Sequence, residues 1–265
     1  MMKNNNQEKK TSEGIRQLPR NVWAVGLTSF FMDVSSEMVI NILPLFLANV
    51  LGVQTNIIGL IEGIAESTAS ILKLFSGWLS DKLGGRKWLA VAGYGLSAIS
   101  KPFFYFANSW ELVAGVRWAD RVGKGVRTAP RDALVADSTS QEVRGLAFGF
   151  HRAMDTAGAT LGLVIAAGVV WFAQSNALDI SRNSFQVIVL ASLIPAFLAV
   201  LSLAVGAKDV PVTNKREAPK FSLKELGKPF RVFLVIVGIF TLGNSSDAFL
   251  VHRAQNLGIS VLGIL

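Results

Sequence analysis

The chain alternates long apolar blocks with short polar segments, a pattern that predicts several membrane-spanning helices. A helix needs about 20 mainly apolar residues to cross the hydrocarbon core of a bilayer. We predict seven such spans, at residues 22–47, 57–80, 88–107, 110–130, 146–173, 185–206 and 230–254. The expected fold class is therefore an all-α membrane protein.

Composition supports a membrane location. Of the 265 residues, 51% are hydrophobic and only 17% are charged, and the mean hydropathy is +0.44. A water-soluble domain of this length does not need so much apolar material for its core. The chain has no cysteine, which excludes disulfides and thiolate metal sites. We predict neither a bound metal nor a cofactor.

The positions of the basic residues predict the orientation of the spans. The formal net charge is +8, and Lys and Arg concentrate in residues 1–21 and in the segments after spans two, four and six. The segments on the opposite side contain only Arg182. Because basic segments stay in the cytoplasm, we predict a multi-pass inner-membrane protein with a cytoplasmic N-terminus. The same alternation makes the lipid bilayer, rather than nucleic acid, the partner of these charges.

Residues 207–229 divide the chain, because they are rich in charge and contain three prolines. We predict a cytoplasmic tail at 1–21, a six-helix bundle at 22–206, a cytoplasmic linker at 207–229 and the start of a second bundle at 230–265. The linker is either a short helix on the anionic inner leaflet or a solvated, disordered segment. The sequences Asp33-Val34-Ser35-Ser36-Glu37 and Asn244-Ser245-Ser246-Asp247 are similar, as in carriers with parallel repeats.

The segment between spans two and three carries a recognisable motif, Gly77-Trp78-Leu79-Ser80-Asp81-Lys82-Leu83-Gly84-Gly85-Arg86-Lys87. Its glycines permit close helix approach and a tight turn, and its acid and bases can form charge pairs. The segment resembles the signature loop of the major facilitator superfamily, although Gly85 stands where that loop usually has its first Arg. Two later stretches, Arg121 to Gly125 and Asp137 to Gly145, resemble further elements of that superfamily.

The resemblance implies one six-helix half of a twelve-helix secondary transporter. It also implies a cytoplasmic gate motif formed by Gly77, Asp81, Gly84, Arg86, Lys87 and Asp137. An ordinary basic turn between two helices is the alternative interpretation of this motif.

Ionisable residues inside the predicted spans are the main functional candidates, because an unpaired charge in the membrane costs several kcal/mol. Span one carries Asp33 and Glu37 one helical turn apart, and span four carries Arg117, Asp120 and Arg121. We predict that these five residues form the substrate and proton pathway, with Asp33 or Glu37 facing Arg117 or Arg121. Static ion pairs that lock the helices together are the alternative.

Other intramembrane residues receive structural interpretations. Glu62 and Glu66 in span two have the same spacing as the acids of span one. For Lys73, Lys101 and His151 we predict snorkelling or placement at the interior surface. The pairs Gly59 and Gly63, and Gly158 and Gly162, are typical of close helix packing.

The expected function is therefore secondary active, proton-coupled transport of a small solute by alternating access. An integral-membrane enzyme that uses an acid pair is one alternative, but the sequence has no HExxH, nucleophile or phosphate-loop motif. A non-transporting fragment is another, because only residues 230–265 would belong to the second half. We expect that the missing C-terminal half is needed for transport, since such carriers bind substrate between their halves.

Overall fold

The computed structural model describes residues 14–174, 179–210, 227–242 and 246–265, and the regular structure of these residues is helical. Its α-helices are α1 Arg20–Ile40, α2 Leu43–Asn49, α3 Thr55–Leu83, α4 Lys87–Ser100, α5 Trp110–Asp137, α6 Gln141–Gln174, α7 Arg182–Gly206, α8 Lys228–Leu242, α9 Asp247–Asn256 and α10 Val261–Ile264. A 3₁₀ helix, Lys101–Phe106, follows α4 directly.

Two predicted spans are interrupted where the sequence predicts continuous helices. Span one ends as α1 at Ile40 and resumes as α2, with Pro44 in the first turn of α2. Span three changes to the 3₁₀ helix, with Pro102 in its first turn. A proline has no N–H for the hydrogen bond to the preceding turn, so both prolines sit where a helix begins. The prediction of unbroken helices here is wrong.

Several other helices are longer than predicted, among them α3 and α5. The α3 helix includes Asp81 and ends at Gly84, which has the left-handed φ of 67° that favours glycine. The α5 helix passes Pro130 and ends at Asp137. Both aspartates therefore lie on helix ends rather than in loops.

Close packing fixes α1 against α6, while α5 packs against α3 and α4. A Cβ at Gly158 would clash with the carbonyl oxygen of Phe30, and one at Gly162 would lie 2.5 Å from that of Val34. The packing role of these two glycines is confirmed. A Cβ at Gly63 would meet no atom of the described residues within 4 Å, so close packing is not found for this glycine in the described part of the chain.

The outer surface is strongly apolar. Large hydrophobic side chains face outward, among them Leu74 at 78% exposure and Phe172 at 90%. Three helical stretches among the described residues are long and apolar enough to cross a membrane: Arg20–Asn49, Gln141–Ala173 and Arg182–Gly206. Such a surface is suited to lipid contact.

The structure leaves part of the predicted domain plan untested. Most of the linker, residues 211–226, and part of the second repeat motif, residues 243–245, lie outside the described residues. The two interpretations of the linker therefore stay predictions. The predicted seventh span corresponds to α8 and α9, which flank residues 243–245.

Candidate functional site

A polar cavity of about 680 Å³ lies between α1, α3, α5 and α9. All five residues predicted for the substrate and proton pathway line it. Its ionisable lining residues are Asp33, Glu37, Glu62, Glu66, Arg117, Asp120, Arg121, Lys124, Arg127 and Asp247. The aromatic ring of Phe249 from α9 closes over Gly59, where a Cβ would approach the ring to 2.5 Å.

The α5 arginines pair with glutamates of α3. Arg117 Nε and Nη2 donate to the two carboxylate oxygens of Glu62, at 2.9 and 2.7 Å. One helical turn further, Arg121 Nη2 lies 2.8 Å from Glu66 Oε1. Arg117 is only 1% exposed, so its bidentate pair is an internal lock between two helices.

The α1 acids have different surroundings from those predicted. Among the described residues, Asp33 has no hydrogen bond or ion pair, while Glu37 accepts from Asn41 Nδ2 at 2.6 Å. The expected ion pairs of Asp33 or Glu37 with the α5 arginines are thus not formed within the described part of the chain. The reason is that α3 packs directly on α5, so the glutamates of α3, rather than the acids of α1, pair with these arginines.

Two polar residues predicted at the surface are buried. Lys101 is 2% exposed, and its Nζ donates to the hydroxyls of Ser35 at 2.5 Å and Ser36 at 3.1 Å. His151 is 5% exposed. The surface prediction is wrong for both residues because the interior of the bundle supplies hydroxyl partners for them. Lys73 is exposed, as predicted.

A separate charge network occupies the end of the bundle at which α1 begins. Arg86 Nη1 lies 2.7 Å from Asp81 Oδ1, and Arg86 Nε lies 2.5 Å from Asp137 Oδ2. Burial disfavours the guanidinium charge, but hydrogen bonds to the two carboxylates outweigh it and raise the pKa of Arg86 above its ordinary value. One arginine therefore ties the start of α4 to the ends of α3 and α5.

Comparison with known sequences decides the family. Residues 25–265 match the Major Facilitator Superfamily. The chain belongs to this superfamily.

Its relatives are longer proteins. This superfamily chain is 36% identical over 246 residues to an uncharacterised MFS-type transporter of Methanocaldococcus jannaschii, covering 93% of this chain and 59% of that relative. It is 32% identical over 98 residues to the arabinose-proton symporter of Escherichia coli, covering 37% of this chain and 20% of the symporter. The chain thus spans a little over half the length of the first of these relatives.

Solved structures of transporters share the fold of this superfamily chain. A POT family transporter in complex with 5-aminolevulinic acid gives a TM-score of 0.64 at 15% identity, over 84% of this chain and 46% of that one. A bacterial homologue of the human lysosomal transporter Spinster, in an inward-facing and occupied conformation, gives 0.60 at 15% identity, over 72% and 44%. Family and fold together establish an all-helical, multi-pass membrane protein of a transporter superfamily.

The superfamily motif makes a contact with a distant residue that the sequence did not predict. Asp209, just after α7, accepts hydrogen bonds from the backbone N–H groups of Arg86 at 2.9 Å and Lys87 at 3.3 Å. It therefore caps α4 from a position 123 residues away in the sequence. A Cβ at Gly85 would lie 3.2 Å from Asp209 Oδ2, which explains why glycine suits the position where the motif usually has an Arg.

The remaining motif residues have structural contacts. A Cβ at Gly77 would lie 3.4 Å from that of Ala129, so α3 and α5 approach closely there. The Lys87 ammonium lies 4.8 Å from the centre of the Trp88 ring. Lys87 thus joins the network through its backbone rather than its charge.

Proposed function

We propose that this chain is the first part of a secondary active transporter that moves a small solute together with protons by alternating access. The observation that carries the proposal is the polar cavity, in which Asp33 faces the cavity without a partner among the described residues. A charge in the middle of a membrane protein is costly. A carboxylate left unpaired at this depth is best explained by a proton or a solute group that occupies it for part of the cycle.

The cavity residues then divide by role. The pair between Arg117 and Glu62 is buried and bidentate, so we assign it to holding α3 on α5. Asp33 and Glu37 on α1 are assigned to the proton and the solute. The ion pair of Arg121 with Glu66, whose side chain is 53% exposed, is the one that a solute in the cavity can reach.

Arg86, Asp81 and Asp137 are assigned to the cytoplasmic gate. Their hydrogen bonds join three helices at one end of the bundle. Because such carriers bind solute between their two halves, bonds within one half make the ends of α3, α4 and α5 move as one unit when that side opens or closes. We therefore assign the network to keeping this end of the bundle rigid at the cytoplasmic gate.

We infer that transport requires a second half, because the chain covers only 59% of its Methanocaldococcus relative. We also infer an inner-membrane location with the N-terminus inside. The chain has no cysteine, so single cysteines can report the orientation directly. A membrane-impermeant maleimide applied to intact cells should label Gln54→Cys and not Lys82→Cys. Labelling of Lys82→Cys alone would reverse the assigned orientation.

Transport itself can be tested in proteoliposomes that contain the full-length carrier and an entrapped pH-sensitive dye. The solutes offered are sugars, amino acids and carboxylic acids, with L-arabinose included because of the similarity to a symporter of that sugar. We expect one solute class to drive proton movement. Asp33→Asn should abolish this movement, and Glu111→Gln, an exposed acid in the first turn of α5, should not.

Two results would contradict the proposal. Solute uptake without any pH change would eliminate proton coupling, and undiminished proton movement in Asp33→Asn would eliminate the role of this residue. The 265-residue chain reconstituted by itself provides the comparison for the fragment hypothesis. It should show no uptake if the cavity needs both halves.

A further inference from the structure

Two adjacent serines of α1 meet a buried lysine at the edge of the cavity. Lys101 is the first residue of the 3₁₀ helix and is 2% exposed. Its Nζ donates to the hydroxyl oxygens of Ser35 at 2.5 Å and Ser36 at 3.1 Å, and to the sulfur of Met32 at 3.6 Å. An ammonium group has three N–H donors and no acceptor. These three acceptors therefore use all the donors of a protonated Lys101.

The contacts of Lys101 are made without a carboxylate. Within the described part of the chain, its ammonium bonds are those to the two hydroxyls and the thioether, all of them on α1. A charge inside a membrane protein is costly unless polar groups surround it. The two serine hydroxyls supply that stabilisation. In return, the lysine fixes one lone pair of each serine oxygen.

The two serines differ in what their own hydroxyl hydrogen can reach. Ser35 is fully buried and donates to the backbone carbonyl oxygen of Ser192 on α7 at 2.7 Å. Ser36 lines the cavity, and its hydroxyl hydrogen has no acceptor among the described residues. Thr28, earlier on the same helix, donates back to the carbonyl oxygen of Ala24 at 2.7 Å, and Ser36 does not do this. The O–H of Ser36 is therefore free to point into the cavity.

The neighbours of Ser36 on this wall select the group that it can bind. Asp33 lies one helical turn before Ser36 and Glu37 directly after it, and both line the cavity. A solute carboxylate at Ser36 would be repelled by these acids. A solute hydroxyl can accept from Ser36 and donate to Asp33 at the same time, because it has one hydrogen and two lone pairs. The wall is thus suited to an uncharged hydroxyl group.

We propose that Ser36 donates a hydrogen bond to a hydroxyl group of the solute, and that Lys101 is the positioning residue that keeps this donor free. The solute class is then a sugar or another polyol. Hydrogen bonds in a chain polarise one another, so a serine that accepts from an ammonium is also a stronger donor. The inference deepens the proposed function and rests on its premise that the solute passes through this cavity.

Thiol labelling tests the position of Ser36 and the action of Lys101. The chain has no cysteine, so Ser36→Cys introduces a single thiol into full-length carrier from whose second half any cysteine has been removed. The probe is 2-(trimethylammonio)ethyl methanethiosulfonate, a water-soluble cation. Ser35→Cys is the matched control, because Ser35 is fully buried. We expect Ser36→Cys to react at least about tenfold faster than Ser35→Cys, since burial makes a thiol inert.

The lysine should change this rate through its charge. The thiolate is the form that reacts, and a neighbouring ammonium favours it. At pH 7 we expect the addition of Lys101→Met to slow the labelling of Ser36→Cys about tenfold. Because the probe is a cation, this slowing does not come from attraction between probe and lysine. If Lys101→Met disturbs folding, the two measurements that keep Lys101, namely the serine comparison and solute protection, still decide.

Solute protection tests the ligand class on the same thiol. A thiol still has a hydrogen to donate, so Ser36→Cys retains a weakened site. Pentoses, hexoses and polyols, among them L-arabinose and ribitol, are compared with succinate and L-alanine. We expect one or more of the hydroxylated solutes to slow the labelling of Ser36→Cys. The labelling of Lys82→Cys, at an exposed position outside the cavity lining, should stay unchanged.

Three results would overturn the inference. The first is equal labelling of the two serine positions, and the second is a Ser36→Cys rate indifferent to Lys101→Met in folded protein. The third is protection by none of the hydroxylated solutes, whether or not succinate or L-alanine protects.

These measurements do not involve proton movement, so they separate the inference from the proposed function. An unprotected Ser36→Cys in a carrier that moves protons with solute would defeat the hydroxyl site alone. A protected Ser36→Cys in a carrier that moves no protons would uphold the site and defeat the coupling.

Discussion

Removal of the Glu62 carboxylate tests whether the α3–α5 ion pair is a structural lock. Arg117 is 1% exposed and donates two hydrogen bonds to Glu62. Breaking a buried pair by removing one partner costs about 3–5 kcal/mol, because the other charge remains buried. Asp120 at 3.7 Å and Glu66 at 3.9 Å still lie near the guanidinium. We therefore expect Glu62→Gln to lower the free energy of unfolding by about 3 kcal/mol, the lower end of that range.

The assay is reversible unfolding in detergent micelles, applied to Glu62→Gln, Arg117→Met and the double variant. Removing both charges leaves no uncompensated ion, so the double variant should lie within about 1 kcal/mol of the unmodified protein. Glu111→Gln serves as the control, since an exposed acid in a first helical turn contributes no more than about 1 kcal/mol. A Glu62→Gln effect as small as that of the control would refute the lock.

Two further substitutions test packing and capping with the same unfolding measurement. Gly158→Ala should destabilise by about 1–3 kcal/mol, because its methyl group would meet the α1 backbone. A methyl group at Gly168 on the same helix would meet no described atom, so Gly168→Ala should be neutral or stabilising, and equal effects of the two substitutions would rule out the contact. Asp209→Ala should cost about 1 kcal/mol as a lost helix cap. Lys208→Ala, which keeps the backbone hydrogen bonds to Asn21, should cost less; an effect as large would contradict the capping role.

The presence of long helices was predictable because each needs a long apolar block, but their interruptions were not. Pro44 and Pro102 lie inside apolar blocks whose composition is that of a continuous span. The hydropathy of a block does not record where its backbone hydrogen bonds are interrupted. The position of a proline does show it, so Pro44 and Pro102 mark both interruptions in the sequence.

The pairing of the intramembrane charges was predictable in principle. Glu62 and Glu66 are four residues apart, as are Arg117 and Arg121. Spans two and four run in the same direction, so two rows with equal spacing meet rung by rung when the helices pack. That argument identifies the observed pairs and assigns no arginine partner to the acids of α1.

Asp209 could not have been found in this way. Its cap depends on the end of α7 lying beside the start of α4, a relation between distant segments. Asn21 helps to set this relation: its side chain bonds both the backbone N–H of Lys208 at 2.7 Å and the hydroxyl of Ser138 at 2.8 Å. No local pattern around Asp209 carries this information.

The two walls of the cavity therefore differ in charge available to a solute. On the α5 wall, Arg117 and Arg121 are each matched by a glutamate of α3, so these two arginines offer little attraction to an anion, and Lys124 is the further cation of α5 beside them in the lining. On the α1 wall, Asp33 has no ion pair among the described residues, and α9 adds Asp247 to the lining. Arg127 is held by Ser97 at 2.6 Å and by the Tyr94 ring. The charges that a solute or proton meets are consequently the acids of α1 and α9 together with Lys124, and substitutions of these residues should change selectivity before substitutions of Arg117 and Arg121 do.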